Sequence, residues 1–96
     1  MNIFDGNTGH SDGKSDGPSA TIKGDGSGLN IYVGGTFDTC TVTLEKYSPT
    51  KKAFYPTEGV WIGPNEFQNL VVKTGEEFRL NIDKSSGTTN IFAEVS

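Results

Sequence analysis

Histidine, cysteine and tryptophan occur once each in this chain of 96 residues. A lone cysteine, Cys40, makes neither an internal disulfide nor a zinc cluster. On an inward strand position it reads as a small buried hydrophobe. A Ser-His-Asp site would have to recruit the only histidine, His10, from a glycine-rich leading segment, where nothing holds it in the geometry a triad needs. Positive charge is also scarce: 8 Lys and Arg stand against 12 Asp and Glu, for a net charge of −4 and a pI near 4.7. The cations are scattered, so no basic stripe forms to neutralise phosphates, and a nucleic-acid partner is not expected. No apolar run approaches the roughly 20 residues of a membrane helix, so no membrane partner is expected. Met1–Asp5 shows neither the basic nor the apolar region of a secretory signal. The chain therefore reads as a soluble protein synthesised in a cytoplasm. No stretch combines a 3.6-residue period with helix caps over ten residues, so no helix is expected.

What remains is alternation. Leu29, Ile31 and Val33, then Cys40, Val42 and Leu44, then Phe78, Leu80 and Ile82, then Ile91, Ala93 and Val95 recur at every second position. That period belongs to half-buried strands. Strands are expected at 20–23, 29–33 (ended by Gly34-Gly35), 40–47, 53–55 (stopped by Pro56), 60–62, 67–72, 78–83 and 90–95. Residues 84–88 have the length of a hairpin loop between the last two. Seven or eight short antiparallel strands imply an all-β fold, an antiparallel β-sandwich or a jelly-roll-like barrel.

Ahead of the strands lies a different composition. Asp-Gly pairs occur at Asp5-Gly6, Asp12-Gly13, Asp16-Gly17 and Asp25-Gly26, with few apolar residues before Ala20. Ordering glycine costs more backbone entropy than ordering any other residue, and this stretch offers little apolar area in return. Residues 1–18 are accordingly expected as an extended, flexible Gly/Asp/Ser-rich arm, and 19–96 as the sandwich domain. Ile3 and Phe4 are the arm's natural anchors onto another surface.

Candidate chemistry is thin. Glu76 and Glu77 are adjacent, so they fall on opposite faces of a strand and read as solvated turn charge. Read from Asp5, a calcium loop would use Asp5, Asn7, Ser11 and Asp16, but His10 stands where that loop needs glycine and flanking helices are missing. Gly24–Gly28 carries an aspartate at its centre and lacks the Lys-Ser/Thr ending of a phosphate loop. No catalytic residue, cofactor or metal is therefore expected. The aromatics are the remaining signal. Tyr32 and Phe92 fall on the polar phase of their strands, and Tyr47, Phe54, Tyr55 and Trp61 cluster mid-sequence. Off-phase rings could be closed over by the arm or a long loop. They could also contact another protein chain, or stack on carbohydrate.

The run "GGTFDTCTVTLEKYSPTKKAFYP" followed by "FRLNIDKSSGTTNIFAEVS", within residues 34–96, resembles small virion structural proteins of tailed bacteriophages. Shared features are a GG-[ST]-FD motif, an alternating V-T-L-E strand, a YSP turn, a short aromatic strand and a closing [YF]RL segment. The chain departs from that pattern at Thr50-Lys51-Lys52, where a Gly/Asp-rich turn is more usual. The resemblance implies a β-sandwich particle protein with no catalytic residues. The function expected from it is a capsid decoration, or cement, protein on the outer surface of the virion. Its partner would be the major capsid protein, and it would sit as a homotrimer with its arm across neighbouring subunits. Interface residues on this reading are Ile3, Phe4, Tyr32, Phe54, Tyr55, Trp61 and Phe92. The alternative is a glycan-binding or fibre- or tail-associated module using Trp61, Tyr55 and Phe54 as a stacking platform.

Overall fold

The computed structural model describes residues 2–71 and 73–96, with the side chains of 67–69 and 71 outside the description. Among the described residues there are eight strands and no helix: β1 (Gly17–Pro18), β2 (Ile22–Lys23), β3 (Gly28–Thr36), β4 (Thr41–Ser48), β5 (Ala53–Trp61), β6 (Asn65–Val71), β7 (Glu77–Asp83) and β8 (Asn90–Val95). All pairings are antiparallel. One sheet runs β1-β7-β4-β5, with β2 also on β7, and the other runs β6-β3-β8. The fold is all-β and consistent with a β-sandwich.

The inward phases are those the alternation predicts. Ile31 and Val33 of β3 and Ile91 and Ala93 of β8 bury against Val42 and Leu44 of β4 and Phe78, Leu80 and Ile82 of β7. Phe37, Cys40 and Trp61 complete this core, with Ile3 and Phe4.

Several boundaries differ from expectation, each for a local reason. β3 does not stop at Gly34-Gly35 but runs on to Thr36, pairing Gly34 with Phe92 and Gly35 with Ile91. β5 does not stop at Pro56. Among the described residues it pairs with β4 alone, as an edge strand, and Pro56 sits beside a register shift in that ladder, two settings in which a strand tolerates proline. The expected strand over 67–72 is β6, and Val72 lies outside the described residues. β7 and β8 are not a hairpin: β7 pairs with β4 and β8 with β3, so residues 84–89 cross between sheets.

The largest correction concerns the leading segment. The expected arm over 1–18 is found, from Asn2 onward, as a strap along its own domain. Ile3 and Phe4 are each only 2 % exposed, inside the core rather than free to anchor elsewhere. Ile3 N–H donates to the Ala93 carbonyl at 3.1 Å, and Ala20 N–H donates back to the Ile3 carbonyl at 2.9 Å. Ala93 N–H donates to Asn2 Oδ1 at 3.1 Å, and Ile91 N–H to the Gly13 carbonyl at 2.7 Å. The strap thus occupies the outer edge of β8, an edge that would otherwise offer its backbone groups to another chain. It then turns onto β7 through Gly17, Pro18 and Ser19, whose N–H donates to the Leu80 carbonyl at 2.7 Å. One side of the sandwich is closed in this way. Glycine is what permits the approach at Gly13: φ is +86°, and a Cβ there would overlap the Ile91 carbonyl oxygen.

Candidate interaction surface

The seven residues expected at an interface do not form one surface. Ile3, Phe4 and Trp61 are core residues, Trp61 at 3 % exposure. Phe54 is half-buried on the outer face of the larger sheet. Tyr55 is exposed near the opposite end of β5 from Trp61. The platform of Trp61, Tyr55 and Phe54 is therefore not formed. Strand alternation places Tyr55 opposite in phase to Phe54, and burial removes Trp61.

Tyr32 and Phe92 do come together. Tyr32 lies on the central strand β3 and Phe92 on β8, with ring centroids 5.9 Å apart at an interplanar angle of 42°. Each is 39 % exposed. Between them is Gly34, register partner of Phe92. A Cβ on Gly34 would lie 2.7 Å from Phe92 Cζ and 2.8 Å from Tyr32 Cε1. Both rings thus lean over a position that has no side chain, which is why two large aromatics fit flat on a solvent-facing sheet. Part of each ring closes the face of the protein's own sheet, and the remainder is available to a partner.

Tyr32 is flanked in register by Glu66 on β6 and Glu94 on β8. All three are exposed, so a carboxylate, a phenol ring and a second carboxylate form one row across the smaller sheet. The strands of that sheet contain no Lys or Arg. In the sequence the rings stand out by their phase, and the acids beside them do not. Glu66 and Glu94 share that polar phase, and only the strand pairing shows that they meet at Tyr32.

The outer face of the larger sheet carries a cation among aromatic and acidic groups. Arg79 Nε donates to Glu45 Oε1 at 2.7 Å, and the guanidinium carbon lies 4.1 Å from the Phe54 ring centroid. Tyr47 meets Phe54 edge-on, with centroids 5.2 Å apart. Arg79 and Glu45 are register partners, as are Tyr47 and Phe54.

The other candidates are dispersed into loop structure. Asp5 accepts from the Asn7 N–H at 2.9 Å, which holds its carboxyl below the usual range. Ser11 Oγ donates to the Ser15 carbonyl at 2.6 Å. Asp16 accepts from the Ser85 N–H at 2.8 Å, and hydrogen bonds to Ser85 lower its pKa. The positions of the imagined calcium loop thus serve separate turns. Among the described residues, no group of three or more His, Cys, Asp or Glu is placed to hold a metal ion. His10 Nδ1 lies 3.7 Å from Asp5 Oδ1 on the strap. Cys40 is buried, and that burial pushes its thiol pKa up. Glu76 pairs with Lys46, a contact that lowers the carboxyl pKa, at the end of the sandwich near the 73–76 turn. Two aliphatic side chains stand out on the surface: Val60 at 49 % and Ile62 at 81 % exposure, beside a hollow of about 290 Å³ that Pro64 and Asn65 also line.

No family model, no curated protein and no solved structure matches this chain.

Proposed function

We propose that the chain is a virion structural protein of a tailed bacteriophage, a capsid decoration protein that docks on the major capsid protein and stabilises the shell. The observation that carries a docking role is the Tyr32–Phe92 pair on the outer face of the smaller sheet. Aromatic residues are enriched at protein interfaces, where they supply large contact area at low entropic cost. The virion assignment rests on the resemblance over residues 34–96. The strap changes the mechanism first expected. A segment whose Ile3 and Phe4 fill the domain's own core is not available to clamp neighbouring subunits. In the present proposal the domain docks by a sheet face, and the strap keeps the sandwich closed and its β8 edge occupied. A homotrimer suits a small repeating block at a local threefold of a shell.

The test is co-sedimentation with expanded empty shells of the phage that carries the gene, followed by their thermal rupture. The expected result is saturable binding and a raised rupture temperature, both reduced when Tyr32 and Phe92 are replaced by serine. A purified, folded protein that neither binds nor protects the shells overturns the proposal.

A further inference from the structure

One reactive dipeptide occurs four times in this chain, at Asp5-Gly6, Asp12-Gly13, Asp16-Gly17 and Asp25-Gly26. An aspartate before glycine can cyclise, because glycine has no side chain to shield its backbone nitrogen from the neighbouring carboxyl carbon. That nitrogen must be free to turn toward the carbon. The local chemistry is the same at all four pairs, so the fold decides which one reacts.

Three pairs are tied into the strap. Gly6 N–H donates to the Ser11 carbonyl at 3.2 Å. Gly13 N–H donates to Ser11 Oγ at 3.1 Å in a buried contact, and the Gly13 carbonyl accepts from the Ile91 N–H. Gly17 lies in β1 opposite Ile82, and the Asp16 carboxylate accepts from the Ser85 N–H at 2.8 Å. Cyclisation at any of these sites first requires local opening of the strap. Asp25-Gly26 differs. Asp25, Gly26 and Ser27 are all exposed, in the loop between β2 and β3. Among the described residues, the Gly26 N–H has no hydrogen-bond acceptor. The Asp25 carboxylate accepts from the N–H of Ser27 at 3.0 Å and from its hydroxyl, a turn that folds the carboxyl back toward the Gly26 peptide. The loop is anchored one residue earlier: Gly24 N–H donates to the Glu76 carbonyl at 2.8 Å, and the Gly24 carbonyl accepts from Gly75 N–H at 3.0 Å. Residues 25–27 can therefore swivel while β2 keeps its place.

We propose that Asp25-Gly26 is a site of spontaneous backbone rearrangement, through a succinimide to isoaspartate. The Gly26 nitrogen attacks the carboxyl carbon of the protonated Asp25 side chain. The N–H proton and the carboxyl hydroxyl leave together as one water, closing a five-membered ring. Water then adds to either ring carbonyl and breaks its bond to nitrogen. Breakage at the side-chain carbonyl restores aspartate. Breakage at the main-chain carbonyl leaves the chain running through the Asp25 methylene and frees the former main-chain carboxyl. The joint between β2 and β3 is then one methylene longer, with no change in composition. The inference is independent of the docking reading.

The test incubates the full chain for several weeks at about 37 °C and about pH 5, folded and, in parallel, unfolded in guanidinium chloride. Peptide mapping by mass spectrometry with electron-transfer fragmentation locates isoaspartate, and enzymatic methylation of isoaspartyl carboxyls measures its total. In the folded chain the product is expected at Asp25 roughly fivefold or more faster than at Asp5, Asp12 or Asp16, since those three must wait for local opening. In the unfolded chain the four pairs should react at comparable rates. Asp25→Glu, whose longer side chain closes the ring far more slowly, should remove most of the methylatable product from the folded protein. No isoaspartate at Asp25 in the folded chain would overturn the proposal. So would the same pattern in the folded and unfolded chains, or a methylation total that Asp25→Glu leaves unchanged.

Discussion

Gly13 and Gly34 both stand where a side chain would collide, yet with different neighbours. At Gly13 the obstacle is the Ile91 backbone, and φ is +86°, a conformation L residues rarely adopt. At Gly34 the obstacles are the far ends of two part-exposed rings, which can swing outward. Gly13→Ala is therefore expected to cost at least about 2 kcal/mol, through strain and the lost contact with Ile91. Gly34→Ala is expected to cost about 1 kcal/mol or less while raising the exposure of Tyr32. Denaturant unfolding of both variants checks the order, and a larger cost for Gly34→Ala would contradict it. Trp61 gives a third prediction at this scale. As a core residue, its truncation to alanine should cost about 3–5 kcal/mol. Its fluorescence should be blue-shifted and shielded from quenchers. Red-shifted, readily quenched emission would place it on the surface, where a sugar platform would need it.

The strap and β1 are the elements whose role the sequence conceals, whereas β2 falls within the strand expected at 20–23. Inward residues of the long strands were legible, because alternation reports which side of a strand is buried. Alternation does not report which strand lies next to which, so a loop of hairpin length at 84–88 suggested a pairing that the fold does not make. The strap escaped for another reason. Ile3 and Phe4 are adjacent and both buried, a pattern with no strand or helix period. Density of glycine and aspartate signals disorder when it is counted as entropy alone. Here Gly13 allows close backbone approach, and Asp5, Asp12, Asp16 and Asp25 accept backbone N–H groups within turns or across to the 85 loop. The candidate face was half legible: phase revealed Tyr32 and Phe92, whereas their meeting over Gly34 depends on the β3–β8 register.

Acid should loosen this part of the fold. Hydrogen bonds from Ser85 lower the Asp16 pKa below its ordinary 3.8, and those from Ser86 and Thr88 do the same for Asp38. A depressed carboxyl contributes stability that is present above its unfolded pKa and is lost as pH falls through the folded one. The expectation is thus slow exchange of the Ser85 amide relative to an unstructured reference at pH 6, and a marked loss of that protection below about pH 3.8. Equal protection on both sides, or Asp16→Ala leaving protection unchanged at pH 6, would contradict the role given to Asp16.

At the scale of the molecule, the radius of gyration is 12.5 Å. Length scaling gives about 12.5 Å for a compact domain of this size, leaving no room for a projecting arm. The chain has two broad sheet faces of unlike character: a larger one with Arg79 over Phe54 and bonded to Glu45, and a smaller one bearing exposed rings and acids. On the decoration proposal, the exposed carboxylates of the smaller face make shell binding weaken as salt rises from 50 to 500 mM, since exposed charges are screened over roughly a Debye length. Salt-independent binding would point to a different face. Phe4→Ala should unfold or strongly destabilise the chain, by about 3–5 kcal/mol, rather than leave a folded domain that merely fails to dock.

Everything at this scale depends on the strap being part of the domain, and amide hydrogen exchange on the isolated protein in dilute solution tests it directly. The amides of Ile3, Ala20 and Ile91 should exchange slowly and together, at rates approaching those of the core strands β4 and β7. Exchange of Ile3 and Ile91 at the rate of an unstructured peptide, with β4 and β7 still protected, would contradict the account and return residues 2–18 to the role of a free arm.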